Sequence, residues 1–400
     1  MAVVASNDAA SQRFSARLQG FFMRQVLGLS IAFVLLVANG GCGGEGGSSL
    51  SAGGNVAAAA TVTGRDDAGT PTGAAIQATS LSHVFSPRSF WYQPIPANAP
   101  LNPKSSIYTQ DLLDQIKNHY GTVNLNTTSF ASPIYYVRTS GGSDAVTWVD
   151  GTPIYPVRKR VNVKFWDCQN KGRTPHELVE QWRGVPIPAG ATPANGSDSE
   201  MSIYDLSTHT LWEFWVTRRV GGEWQACWGG RVRDTMQNPG IFPHPYGATA
   251  TGLPFIGGEI SAEELARGQI NHVIGIALVN AASWKEFSWP ASRSDGYNPN
   301  DVPDRIPEGI RLRLDPSVDV DALNLTPVGR IIAKAAQKYG FVVWDKAGAV
   351  SLRMVNPASY ELAGLPNPYP ALFDNIASYD VLKGFPWDKM QFMPMNYGKP

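Results

Sequence analysis

From about residue 133 to 315 the chain is a succession of short apolar runs cut by Gly, Pro, Asn and Asp, and this pattern constrains its fold more than any other feature. PIYYVRT, AVTWVD, RVNVKFWD, TLWEFWVTRR, EWQACWGGRV, HVIGIALVN and IRLRLD all have strand length and carry many branched or aromatic residues. Such side chains pack well on a pleated surface, and breakers at this density leave little room for long helices. Charged residues are only 16% of the chain, against 40 Gly, 30 Pro and 12 Trp, which also suits a loop-rich β protein. Hydrophobic residues at 43% can fill a sizeable core. The expected fold is mainly β: one large β-sandwich of jelly-roll or lectin type over residues 81–400, with a few peripheral helices. Division of that core into two subdomains stays open.

Three helices are expected. Residues Tyr108–Tyr120 set Leu112, Leu113 and Ile116 on one face, with Gly121 as the stop. Ser261 and Glu264 make a capping box for Ser261–Arg267. Thr326 caps Thr326–Tyr339, Pro327 fills its first turn, and Gly340 ends it. FVVWDKAGAVSLRMV reads as a hairpin turning near Ala347 and Gly348, and SPRSFWYQPIPANAPLNPKS as an extended arm over the core.

The N-terminal residues read as an export signal. Arg13, Arg17 and Arg24 precede the apolar run Val26–Ala38, which closes on Asn39-Gly40-Gly41-Cys42. That run is shorter than the roughly 20 apolar residues a spanning helix needs. Met23 would serve as an alternative start. A cysteine at the cut makes Cys42 a candidate for lipidation. Asn39, however, stands where lipoprotein signals usually carry Leu, and a cleaved secreted form is the rival. Residues 43–80 have the composition of a flexible Gly/Ala/Ser linker. The expected location is exported: a periplasmic or outer-membrane lipoprotein, or a secreted protein, touching membrane only through its N-terminal segment.

Export leaves Cys168 and Cys227 in a compartment that permits disulfides. Both end strand-like runs, so either a bridge or two buried thiols would fit. A bridge closing a loop of roughly 60 residues would stabilise by about 4 kcal/mol through chain entropy.

Lys+Arg and Asp+Glu are both 33, and this balance argues against a nucleic-acid partner. GxSxG, HExxH, paired CxxC, the P-loop and the dinucleotide fingerprint are all missing from the sequence. Serine hydrolases of the α/β type, zinc proteases and nucleotide enzymes are therefore disfavoured, and no cofactor is expected.

FSPRSFWYQPIPANAP, TLWEFW, YGATATGLPFIGGEISAEELARGQINH, SWPASRSDG, PEGIRLRLDP and FPWDKMQF together resemble a family of secreted, β-rich bacterial proteins with no assigned activity. The resemblance covers roughly residues 84–393. It implies secretion and a β-rich fold, and it supplies no mechanism.

Several side-chain groups could carry chemistry. In LWEFW, alternation puts Trp212, Phe214 and Val216 on one face and His209, Leu211, Glu213 and Trp215 on the other. A carboxylate and an imidazole beside an indole suit a saccharide groove, with Glu213 as acid/base and Trp215 and His209 as binding groups. A strand buried on both faces is the plainer alternative. In IRLRLDP, Arg311 and Arg313 could fork onto an acidic polymer, although such rows on sheets are commonly structural; Arg231, Arg233 and Asp234 pose the same ambiguity. GQINHVIG resembles the Gln-Ile-His signature of jelly-roll alginate lyases, but Asn271 shifts the parity, so that Gln269 shares a face with Asn271. His272 alone could still be a base. Asp295, Asn298, Asn300, Asp301 and Asp304 offer the oxygen ligands calcium prefers, at spacings unlike an EF-hand loop, and Asp295 is also a catalytic candidate.

The expected function is action on, or binding of, a carbohydrate polymer at the cell envelope, as a glycoside hydrolase or polysaccharide lyase using Glu213, His272 or Asp295. The rival is a non-catalytic glycan-binding or structural lipoprotein, and an esterase or peptidase with an unrecognised triad ranks third. An enzyme should bring two acids, or an acid and a histidine, into a cleft walled by aromatics. A binder should present a shallow aromatic platform.

Overall fold

The strand-like runs distribute over two six-stranded sheets and one of three strands. The computed structural model describes Leu81 and residues 83–400, so the signal segment 1–42, the alternative start Met23, the candidate lipidation site Cys42 and the linker 43–80 lie outside the described residues. In spatial order the first sheet runs Asn124–Asn126, Ser351–Arg353, Ile274–Leu278, Phe341–Lys346, Arg311–Leu314, Met390–Phe392. The second runs Trp228–Val232, Thr210–Trp215, Met201–Asp205, Ile134–Arg138, Thr152–Pro156, Thr147–Val149. Lys164–Phe165, Glu223–Ala226 and Arg218–Val220 form the small sheet. The fold is β-rich, and none of these described sheets closes into a barrel.

Pairing is mixed. Ile274–Leu278 is parallel to Phe341–Lys346, and Ile134–Arg138 is parallel to both its neighbours. A jelly roll pairs its strands antiparallel throughout, so the connectivity here is different. A parallel pair needs a long crossover, and the one between Ile274–Leu278 and Phe341–Lys346 carries the helix Pro327–Lys338.

Three apolar clusters explain which residues form which element. The helices Ser105–Asn118 and Pro327–Lys338 bury Leu112, Ile116, Val328 and Ile332 against Ile274, Ile276, Phe341 and Val343 of the first sheet. A second cluster takes Tyr204, Leu211 and Val232 from the second sheet and Val342 and Trp344 from the first, around Trp91 and Phe255. The third joins Ile203, Trp212 and Phe214 to Leu178 and Trp182. Thr210–Trp215 thus alternates as expected yet is buried on both faces. Gly275 makes room at the sheet centre, since a Cβ there would come within 2.2 Å of the Trp344 ring.

The capping arguments hold in detail. Ser261 and Glu264 form the reciprocal box before Ala262–Arg267, and Thr326 Oγ1 accepts from Gly329 N–H. One expectation fails. Phe341–Lys346 and Ser351–Arg353 are not a hairpin, because Ile274–Leu278 lies between them and pairs with both. The Ala347–Gly348 turn reverses the chain, and the Ala347 N–H donates to Leu278 O of the intervening strand.

The aromatic arm does wrap the core. Trp91 is fully buried and donates from Nε1 to Gly240 O. Arg311 and Arg313 are each only 2% exposed, and they hold this arm by donating to the carbonyls of Gln93, Pro96 and Ala97.

Cys168 and Cys227 form a disulfide with their Cα atoms 5.6 Å apart, which fits an oxidising compartment. No described helix is long and apolar enough to cross a membrane. Replacing both cysteines with serine is expected to lower stability by about 2–4 kcal/mol in urea titration. A variant midpoint equal to that of the oxidised wild type would show that the bridge contributes nothing.

Candidate functional site

The site begins with a break in strand regularity. Ile276 is opposite Val343, but the next residue, Ala277, is opposite Asp345, so Trp344 is an extra residue in its strand. Strict alternation would put Asp345 with Phe341 and Val343, under the helices. A bulge of this kind re-aims the side chains that follow it. Asp345 instead faces Arg353, with Oδ2 3.3 Å from Nη2.

A groove of about 790 Å³ opens at Asp345. Trp215, Trp228 and Tyr246 line it, and the last two rings stack with centroids 6.0 Å apart. The Tyr246 hydroxyl donates to Glu177 Oε2 at 2.6 Å, which fixes that ring. Asp198, Asp295 and Lys346 also line the groove, as does Cys227 of the disulfide. Asp295 lies 3.6 Å from the Lys346 ammonium and keeps its side chain 57% exposed. Arg293 braces the wall by donating to the carbonyls of Gly247 and Thr249.

Two acids here hold protons unusually well. Burial pushes Asp345 up to about 7, against the pull of Arg353, and the charges of Asp295 and Asp198 push the same way. Glu308 accepts from the Asp295 N–H, and burial, then Asp295, push it up to about 8. A carboxyl that is still protonated near neutrality can donate to a leaving group, while a solvated carboxylate beside it can hold hydroxyls or accept a proton. Asp345 and Asp295 place one buried and one exposed carboxyl in one groove.

Behind Asp345 lies a hub centred on Arg353, which is 2% exposed. Its Nη1 is 2.5 Å from Glu200 Oε1, and its guanidinium lies 4.9 Å from the Phe255 ring centroid and 5.9 Å from that of Trp344. Glu213 and Glu259 feel the same charge. Burial pushes Glu213 up to about 8, although the backbone N–H of Ile256 donates to it at 3.2 Å.

The candidates read from the sequence separate as follows. Trp215 and Asp295 share the groove. Glu213 is fully buried in the hub and is not among the groove's lining residues. His272 lines a different, smaller cavity, where its Nε2 is 3.1 Å from Glu264 and its Nδ1 2.8 Å from Val273 O. Burial opposes a charge on His272, yet Glu264 and that carbonyl together raise its affinity for a proton. His209 is exposed at a turn, 3.4 Å from the Tyr204 hydroxyl. Arg311 and Arg313 donate to the arm and also to Tyr339 O and Gln391 Oε1, so they are buried structural groups. Gln269 donates to Asn271, in keeping with their shared parity.

The loop suited to calcium does not gather its oxygens. Asp304 pairs with Lys104 at 2.6 Å, and the Asn298 side chain braces Val302 through both its amide atoms. Among the described residues no group of three His, Cys, Asp or Glu is placed to hold a metal ion.

Sequence reasoning missed Asp345, Arg353, Trp228 and Asp198. The first two did carry a signal: an acid closing the apolar run FVVW, and an arginine inside SLRMV. No protein-family model matches this chain, and neither curated proteins nor solved structures provide a match.

Proposed function

We propose that this is an exported, β-sandwich protein that binds and cleaves a carbohydrate polymer in the groove at Asp345. What carries the proposal is one juxtaposition: Asp345 and Asp295 line the same groove as Trp215, Trp228 and Tyr246. Indole and phenol faces accept the C–H faces of a sugar ring, and the carboxylates reach its hydroxyls and glycosidic oxygen. A pair of carboxyls flanking the scissile bond is what glycoside hydrolysis requires. The sandwich reading is supported by the apolar cluster that takes side chains from both six-stranded sheets. Attachment through a lipid at Cys42 belongs to the same proposal.

Asp345 takes the acid role first considered for Glu213, because Glu213 is sealed in the hub. Asp295 is the second carboxylate. Lys346 and Arg293 position these acids, and neither His272 nor Arg311 takes part.

The test is a screen of envelope and plant polysaccharides for binding and for release of reducing ends. A responsive glycan should lose about tenfold in affinity when Trp228 or Trp215 is replaced by Ala, as expected for one ring face. Binding without release of new ends would leave a glycan-binding protein. No binding to any glycan would reject the proposal.

A further inference from the structure

Lys171, Arg173, Arg293 and Lys346 line the groove at Asp345, and the first two make no ion pair among the described residues. Arg293 donates to the carbonyls of Gly247 and Thr249, and Lys346 lies 3.6 Å from Asp295. Lys171 and Arg173 are both exposed. The next cations along the chain on either side of them are paired: Lys164 reaches Glu223 and Arg183 reaches Glu180, each at 2.7 Å.

The loop that carries Lys171 and Arg173 is held in place. Asp167 commits both carboxylate oxygens to its backbone: Oδ1 accepts from the Lys171 N–H at 2.9 Å and Oδ2 from the Gly172 N–H at 2.6 Å. Gly172 takes a left-handed φ of 67°, which a side chain would oppose. One end of the loop is tied by the disulfide to Cys227, the residue before Trp228. Just past the other end, Glu177 accepts from the Tyr246 hydroxyl at 2.6 Å. The loop therefore runs between anchors at the two stacked rings, Trp228 and Tyr246, and its cations share a groove with them. The acids group differently. Asp345 feels chiefly Arg353, Asp295 and Asp198, whereas Asp167 feels Lys171.

We infer that the polymer bound in this groove is anionic, and that Lys171 and Arg173 on the anchored loop receive its carboxylate or sulfate groups. The inference rests on the carbohydrate reading of the groove and names the class of glycan. A guanidinium fork grips either anion at two points, and an ammonium adds a point charge beside it. A uronate carries its carboxylate, and a sulfated sugar its ester, at the edge of the ring. Charged groups beside an aromatic wall can meet such an anion while the ring lies on the wall. At about 790 Å³ the groove has room for more than one sugar unit, so one unit can reach the loop while another meets the acids.

The experiment is calorimetric titration of the full chain with two matched pairs of polymers. Polygalacturonate is compared with its methyl ester, and dextran sulfate with dextran. In at least one pair the anionic member should bind at least about fivefold more tightly at low salt, the scale for two exposed charge contacts. That preference should largely vanish in about 1 M NaCl, where screening acts within about 3 Å. A preference in one pair only assigns the anion as carboxylate or as sulfate. The double variant Lys171→Ser, Arg173→Ser should lose the preference and keep its affinity for the neutral member within about twofold. Lys117→Ser with Lys383→Ser removes the same net charge from exposed positions outside the groove lining, and should keep the preference. Equal binding within both pairs overturns the inference, as does no binding to any of the four polymers. So does a preference that survives in the double variant, or one lost equally in the control. Equal binding within the pairs, together with weaker binding by Trp228→Ala, would sink the anionic class and leave the carbohydrate reading standing.

Discussion

Asp345→Asn should lower turnover of the responsive glycan by about 10²–10⁴-fold, the range for loss of a positioned general acid. Affinity should stay within about twofold, because asparagine keeps the shape and the aromatic walls are untouched. The pH profile makes the prediction specific. Asp345 is held up to about 7 by burial, so it carries its proton below that pH and loses it above. An acid must be protonated to act, and the rate should therefore fall as pH rises through about 7. The alkaline limb should be missing from the residual activity of the variant. Glu213→Gln is the control: Glu213 is fully buried outside the groove lining, so its turnover should stay near that of the wild type. Wild-type turnover in Asp345→Asn, or its loss in a folded Glu213→Gln, would move the acid back to the strand Thr210–Trp215.

Local rules made much of this fold legible and left the site half hidden. The caps at Ser261 and Thr326 and the alternation of Leu211, Trp212 and Phe214 depend on residues a few positions apart, and they came out as read. Sheet order depends on distant partners, so nothing in FVVWDKAGAVSLRMV reveals that Ile274–Leu278 inserts between its two strands. Asp345 was hidden for a related reason. Its direction is set by a bulge against Ala277, and an extra residue in a ladder shows only once the partner is known. Glu213 misled for the opposite reason. Its parity was right, but the second face of its strand is closed by Phe255, Ile256 and the first sheet. Arg311 and Arg313 lie on a sheet as supposed, and both are buried there, donating to the aromatic arm, Tyr339 and Gln391.

The hub implies the largest stability effect. Arg353→Met should destabilise the fold by about 3–5 kcal/mol at pH 8, the scale for breaking a buried ion pair by removing one partner. Methionine keeps an unbranched apolar stem and removes the guanidinium, with its charge and its donors, from beside Phe255 and Trp344. Glu200 would be stranded: it is buried, its Oε1 loses a partner at 2.5 Å, and its Oε2 has none already. Asp345 would lose a cation that opposes its burial. The sign with pH follows from protons bound. Burial raises Glu200, lifts Glu259 well above its ordinary value, and carries Glu213 to about 8 and Asp345 to about 7. Between about pH 4 and 8 the folded chain therefore holds protons that the unfolded chain releases, and stability falls as pH rises. Without Arg353 these acids hold protons more tightly still, so the fall should steepen. The deficit should be smaller at pH 5, where Glu200 and Asp345 can be neutral, than at pH 8. Adding Glu200→Gln to Arg353→Met should recover part of the loss at pH 8, because it removes the stranded charge. Urea titrations of the four proteins at both pH values test this. A deficit below about 1 kcal/mol, or one independent of pH, would mean that Arg353 does not hold the charge balance between the two sheets.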